Sequence, residues 1–181
     1  MEVREEQPEH EPAVRRLHAA AFGEGHGRVV ADLVDGLRRA ATTGDALSLV
    51  ALDADAVVGH ALFTRSLLDA PARLVEVQVL SPLGVLPERQ GQRIGSALVE
   101  RGLELLDRRG VPLVFLEGSP TYYARFGFEP AAGRGFRKPS LRIPDGAFQV
   151  RRLSTWEAGM TGTLVYAETF WQHDVVGLRE G

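Results

Sequence analysis

The stretch from Arg73 to Gly118 constrains the fold more than any other part of the chain. "RLVEVQVLSPLGVL" alternates polar and apolar residues at first and then runs almost continuously apolar, as a strand does when it passes from a half-exposed to a covered setting. "PERQGQRIGSALVERG" follows. From Ile94 on, Ile94, Ala97, Leu98, Leu105 and Leu106 share one stripe of a helix, with Gln92, Ser96, Glu100, Glu104, Asp107 and Arg108 largely away from it. Gly110 stops that helix. The next run, "VPLVFLEG", is short and almost wholly apolar, which suits a strand covered on both faces. Strand, helix and buried strand make a right-handed βαβ unit, and its polar junction falls at the carboxyl end of the first strand. Ser81-Pro82-Leu83-Gly84 is poor material for a regular central strand, because Pro lacks a donor and Gly weakens pairing. A bulge or splay is expected there.

The flanking sequence extends this unit. Val3 opens a short strand, and apolar residues at helical spacing predict one helix from Glu9 to Phe22 and a second around Val29–Leu37. "ALSLVALD", the turn "DADA" and "VVGHALFTRSLL" read as a hairpin. "SPTYYARFGFEP" reads as a short helix entering a strand at Phe128. A Gly/Arg/Pro-rich loop spans Gly133 to Pro144, "AFQVRRL" is strand-like, and a last strand lies near Leu164 with an aromatic end from Tyr166 to Trp171. The class is α/β, with a mixed sheet of roughly six or seven strands. At 181 residues and 44% hydrophobic content, residues 1–181 are expected to form a single domain. A formal net charge of −3 offers no global field for nucleic acid or anionic membrane, and no apolar run approaches the length of a membrane span. The absence of cysteine rules out disulfides and thiolate chemistry and agrees with a cytoplasmic setting. The acidic start lacks the features of a signal peptide. The five histidines, at 10, 18, 26, 60 and 173, lack metal-ligand spacing, so no metal is expected.

The junction admits two readings. The first N–H groups of a helix have no intrahelical acceptor, and the helix dipole places partial positive charge there. Gly91 and Gly95 remove side chains where a ligand would approach backbone, and Arg89 and Arg93 add fixed charge suited to phosphate. Equally, the glycines serve only to turn the chain and pack it on the sheet. The dinucleotide fingerprint Gly-x-Gly-x-x-Gly and the Gly-Lys-Ser/Thr of a nucleotide P-loop are both missing.

Gln90-Gly91-Gln92-Arg93-Ile94-Gly95 resembles the Q/R-x-x-G-x-G/A signature of the GNAT superfamily of acetyl-CoA-dependent N-acetyltransferases. Downstream, Tyr122-Tyr123-Ala124-Arg125-Phe126-Gly127-Phe128 resembles the family's Y-x-[KR]-x-G-F segment. "AAAFGE", "SLVALDADAVVGH" and "AFQVRRL" look like one bacterial branch of predicted acetyltransferases, so the resemblance spans most of the chain. It implies a mixed, mostly antiparallel sheet with a splayed parallel strand pair and flanking helices. It also implies a coenzyme, acetyl-CoA, whose pantetheine arm pairs with backbone near Leu83 and Val85. The pyrophosphate would rest on N–H groups of Gln90, Gly91, Gln92, Arg93, Ile94, Gly95 and Ser96. Arg93 departs from the pattern, standing where the family has its first motif glycine.

The implied reaction is direct transfer of acetyl from acetyl-CoA to a primary amine, most readily of a small molecule. The alternatives are a protein Lys or N-terminal acceptor, or an acyl-CoA-binding module without turnover. Tyr123 matches the family tyrosine near the coenzyme sulfur and is the expected general acid. For the base, Glu76 is the first candidate. Glu117 and His60 are weighed beside it as groups that brace a loop or fill a core. The Arg134, Arg137 and Lys138 cluster either attracts an acidic acceptor or is a solvated loop. Phe170 and Trp171 either wall the acceptor pocket or pack a homodimer.

Overall fold

Ala46–Asp53 (β2) and Ala56–Asp69 (β3) are dense in apolar residues and pair antiparallel across a turn whose central residues, Ala54 and Asp55, both hold positive φ (46° and 67°). Positive φ at both positions lets a two-residue turn follow the natural twist of the strands. The fold is that of a computed structural model, and it describes residues 1–42 and 44–178. The chain divides into two compact units, Met1–Thr64 with Leu80–Leu105, and Arg65–Val79 with the residues from Leu106 on.

In the first unit, strand β1 (Glu2–Glu5) pairs antiparallel with β2, from Glu2↔Leu52 to Glu5↔Leu49. Helices α1 (Glu11–Ala21) and α2 (His26–Ala40) follow β1 in the chain. Their buried residues recur at helical spacing: Val14, Leu17 and His18 on α1, then Val30, Ala31, Leu33, Val34 and Leu37 on α2. Strand β4 (Leu74–Val85) neighbours β3, and its last residues belong to this unit together with most of helix α3 (Ile94–Arg108). Leu47, Leu49, Phe63 and Leu98 lie fully buried in its core. Gly102 sits on the buried face of α3 because a Cβ there would come within 2.3 Å of the Phe63 ring.

In the second unit, β4 runs parallel to β5 (Leu113–Glu117), with pairs Gln78↔Val114 and Val79↔Phe115. β5 pairs antiparallel with β8 (Phe148–Arg152), and β8 with β6 (Glu129–Pro130). The end of β3 pairs with β9 (Gly162–Val165), which runs parallel to β7 (Phe136–Arg137). Phe115 stacks on Phe148 at 5.7 Å and meets Phe136 edge-on at 5.3 Å, so three strands share one aromatic core. Short helices α4 (Pro120–Tyr123) and α5 (Glu168–Gln172) complete the unit.

The α/β class and the mixed, mostly antiparallel sheet stand as the sequence implied, with nine strands among the described residues rather than six or seven. The excess has physical causes. β7 lies inside the segment read as a Gly/Arg/Pro-rich loop, and at two residues it is too short to show periodicity. The aromatic end folds as α5, with Phe170 only 2% exposed and its ring 5.1 Å from that of Tyr166. Ser81-Pro82-Leu83-Gly84 stays extended within β4, and the paired residues of the parallel ladder end at Val79, two residues earlier.

Close approach of α1 and α2 depends on Gly27, where a Cβ would stand 2.4 Å from the Ala19 carbonyl oxygen. Ala would ordinarily favour a helix over Gly by about 1 kcal/mol. Here the obstacle is backbone, which cannot rotate away as a side chain can, so the clash outweighs propensity. Gly27→Ala is therefore expected to destabilise by about 1–3 kcal/mol in urea unfolding; a stabilised variant would refute the close packing.

Candidate active site

The junction after β4 is assembled from local hydrogen bonds of the first unit. Leu86 N–H donates to the Val58 carbonyl at 3.1 Å, and Pro87–Arg89 form a single 3-10 turn. The backbone then turns left-handed twice, at Gly91 (φ 76°) and Arg93 (φ 64°). This geometry explains why a glycine is expected at position 93: a side chain there adopts the left-handed region at a cost of about 1–2 kcal/mol. Ala97 N–H to Arg93 C=O, at 3.0 Å, is the first bond of α3, so the N–H groups of Ile94, Gly95 and Ser96 precede any intrahelical acceptor. A Cβ built at Gly91 meets nothing within 4 Å, and the loop surface is open.

Of the two junction cations, one is already engaged. Arg89 Nη2 lies 2.7 Å from Asp53, whose carboxyl the guanidinium holds below the usual range, and Arg89 Nε donates to Gln92 Oε1 at 3.1 Å. Gln90 Nε2 donates to the Val85 carbonyl at 3.3 Å, and Gln92 Nε2 to the Glu88 carbonyl at 3.4 Å. Both glutamines thus brace the loop. Arg93 is exposed and makes no ion pair among the described residues. Ile94, Gly95 and Ser96 are buried, while Leu83 and Val85 are half-buried and alternate with the buried Pro82 and Gly84.

The same unit holds a buried polar chain. His18 Nε2 lies 2.7 Å from His60 Nδ1, His60 Nε2 lies 2.9 Å from Ser48 Oγ, and Ser48 Oγ donates to Glu6 Oε2. Arg38 Nη2 pairs with Glu6 Oε1 at 2.7 Å. Ser48 has one hydroxyl proton, and the carboxylate takes it. Ser48 must then accept from His60 Nε2–H, and a neutral His60 must accept from His18 Nε2–H. This leaves the His18 Nδ1 lone pair buried without a partner; a Cβ at Gly84 would stand 2.8 Å from it. Burial pushes the His18 pKa down to about 2, and His60 is lowered by burial as well. Burial alone would raise Glu6, but hydrogen bonding from His60 and Ser48 and the charge of Arg38 prevail and hold it at about 2. The sequence gives no signal for this contact, since His18 and His60 lie 42 residues apart.

In the second unit, the Tyr123 ring packs against Gly118, where a Cβ would come within 2.5 Å of Tyr123 Cε2. The rings of Tyr122 (4.9 Å) and Phe128 (5.8 Å) flank it edge-on. Burial pushes the Tyr123 pKa up, so the phenol keeps its proton, and its hydroxyl has no hydrogen-bond partner among the described residues. Glu76 has a side chain 69% exposed and is paired with Arg65. Glu117, at the end of β5, is half-buried; it accepts from Tyr166 Oη–H at 2.8 Å and from Gly177 N–H at 3.1 Å. The basic cluster is bound internally: Arg134 to Glu129, Arg137 to Thr163 and Lys138 to Asp145. Among the described residues, no helix is long and apolar enough to cross a membrane.

Residues 2–131 match the family described as acetyltransferase (GNAT) domain, and the chain belongs to that family. It is 39% identical over 159 residues to the uncharacterized N-acetyltransferase YjhQ of Escherichia coli K12, spanning 86% of each protein. Its fold matches the crystal structure of YhbS, a GNAT family N-acetyltransferase from Escherichia coli, in complex with CoA. There the TM-score is 0.82 at 32% identity, over 93% of this chain and 91% of that one. It also matches a GNAT family acetyltransferase from Brucella melitensis in complex with acetyl-CoA, with a TM-score of 0.74 at 30% identity over 93% and 97% of the two chains. In general terms, then, the protein is an N-acetyltransferase.

The buried chain makes stability depend on pH. Below the ordinary histidine value of 6.5, the unfolded chain takes protons at His18 and His60 that the folded chain refuses, so stability falls as the pH drops from there. Glu6 adds a second loss between 4.5 and about 2, where the unfolded carboxyl is protonated before the folded one. Each proton contributes a slope of about 1.4 kcal/mol per pH unit. In urea unfolding between pH 6.5 and 4.5, His18→Gln is expected to show a slope shallower by about one proton. An unchanged slope would mean that folded His18 binds its proton normally.

Proposed function

We propose that the chain transfers an acetyl group from acetyl-CoA to the primary amine of a small molecule, acting as one catalytic domain in the cytoplasm. The observation that carries this reading is the junction from Gln90 to Ser96, with its Cβ-free approach at Gly91, the donors of Ile94, Gly95 and Ser96 ahead of the first helical bond, and the guanidinium of Arg93, which has no ion pair among the described residues. These features fit a pyrophosphate: amide donors, the positive end of a helix dipole and one exposed cation converge on a loop without steric cover. Leu83 and Val85 would hold the pantetheine arm through their main chain. The Val85 carbonyl already accepts from Gln90. Acetyl-CoA supplies the acetyl group as a thioester, already activated toward an amine.

The residues of the chain manage the protons. Tyr123 holds at Oη the proton that a departing thiolate needs, and its raised pKa keeps that proton in place in the resting protein. The amine proton goes to a carboxylate of the second unit. Glu76 is the candidate of the sequence, and Glu117 stands beside it as the alternative. Tyr123 and Glu117 are both only partly exposed, which supports an acceptor small enough to enter whole rather than a peptide segment.

A thiol-release assay with acetyl-CoA across amines and peptides tests reaction and acceptor together. Turnover with small amines is expected; turnover confined to peptides would move the acceptor to protein. Acetyl-CoA should raise the Tm, by the equivalent of about 2.7 kcal/mol at a hundredfold excess over Kd. Arg93→Gly relieves the left-handed side chain, so the unliganded protein should lose no stability. The same variant should bind acetyl-CoA about tenfold more weakly, with less sensitivity to salt. Unchanged affinity would remove Arg93 from the pyrophosphate site. Tyr123→Phe should lower kcat at least ~100-fold with coenzyme affinity unchanged; full activity would refute its role as the acid.

A further inference from the structure

The first unit carries a cavity of about 370 Å³ that acetyl transfer does not use, at the start of α1, the β2–β3 turn and Leu86. That volume lies at the small end of ligand pockets and suits a metabolite rather than a coenzyme or peptide. Leu17, Val57 and Leu86 supply its apolar lining, and Glu9, Asp55, Arg16 and His10 its polar lining. Opposite charges thus share one small space, yet they do not neutralise one another. Glu9, Asp55 and Arg16 are exposed and enter no ion pair among the described residues. The neighbouring Arg15, by contrast, is bound to both Asp32 and Asp35.

Beside the cavity, two donors face each other. Gln7 N–H donates to His10 Nδ1 at 2.9 Å, so the proton of the neutral ring stands on Nε2. Arg4 Nη2, which can only donate, lies 3.3 Å from that Nε2. His10 is 7% exposed, and among the described residues its Nε2–H meets no acceptor. A buried donor left in that state is costly, and an anionic oxygen between His10 and Arg4 would accept from both.

We propose that this cavity binds a free α-amino acid. Its carboxylate accepts from His10 Nε2–H and Arg4, with Arg16 adding charge. Its ammonium group donates to Glu9 and Asp55, and its side chain rests on Leu17, Val57 and Leu86. A simple anion would leave both carboxylates opposed, and a simple amine would leave the donors unmet; a zwitterion answers both signs. The inference stands apart from the acetyltransferase reading, because no residue of the cavity lies in the junction from Gln90 to Ser96 or handles protons in the proposed transfer.

The test is amide NMR of the full chain, titrated with each proteinogenic amino acid in turn. At least one is expected to bind with a Kd of about 1 mM or below and to shift amides of residues 9–17 and 55–57. Its methyl ester and its deaminated acid each keep a single charge and should bind at least ~10-fold more weakly. Arg16→Gln and Asp55→Asn alter exposed side chains without ion pairs, so both variants should fold as the parent does. Each should weaken the amino acid about tenfold. Arg16→Gln should also narrow the preference over the ester, and Asp55→Asn the preference over the deaminated acid, which a merely structural role would not do. Binding should persist in saturating acetyl-CoA. Displacement by acetyl-CoA would give the cavity to the coenzyme and overturn the proposal. So would silence from every amino acid at about 10 mM, an ester or deaminated acid that binds as tightly, or unchanged affinity in both variants.

Discussion

A strand that loses one of its two neighbours partway along its length must have the backbone groups of that edge satisfied elsewhere, and the turn after β4 is built around that demand. The parallel ladder of β4 with β5 consists of Gln78↔Val114 and Val79↔Phe115, yet the strand continues to Val85. Pro82 contributes no donor, the Val85 carbonyl is met by Gln90, and Leu86 N–H is met by Val58. Gln90 therefore does two things with one side chain: it closes an open carbonyl and sets the start of the turn that leads into α3. The left-handed residues at 91 and 93 follow from the same need, because the chain must reverse sharply to bring a helix back over the sheet it has just left.

The parts of this fold that repeat were legible in the sequence, and those that depend on a single contact were not. The alternation of β4, the stripe of α3 and the apolar run of β5 each carry several residues of periodic signal, enough to fix type and order. β7 has two residues, and its existence rests on Phe136 meeting Phe115 across the core. The junction motif stood out in the sequence, yet only the backbone shows why position 93 favours glycine and that Arg89 is tied to Asp53. Tyr123 was found by resemblance. Glu117 was visible as a carboxylate at a strand end, but its partners, Tyr166 and Gly177, lie 49 and 60 residues downstream. No local pattern encodes such a meeting.

Electrostatics divides the titratable groups into two kinds. Exposed pairs such as Arg15 with Asp32 and Asp35 sit in water and contribute little individually. Buried groups behave otherwise. Glu6 stays ionised because Ser48, His60 and Arg38 surround it, while His18 and His60 stay neutral because burial denies them charge. The tyrosines Tyr123 and Tyr166 keep their protons for the same reason. The interior thus assigns each group one protonation state at neutral pH, as chemistry that moves protons in order requires.

The chain from Glu6 to His18 has one further property. Every hydrogen in it points the same way, from His18 through His60 and Ser48 to the carboxylate, like a row of arrows. Turning the row around would take one added proton, on Glu6, and leave every heavier atom where it stands. What would change is the character of its far end, where a bare nitrogen beside Gly84 would become a donor. The amino-terminal segment, remote in sequence from β4, therefore sets the polarity of the atom that lies against it.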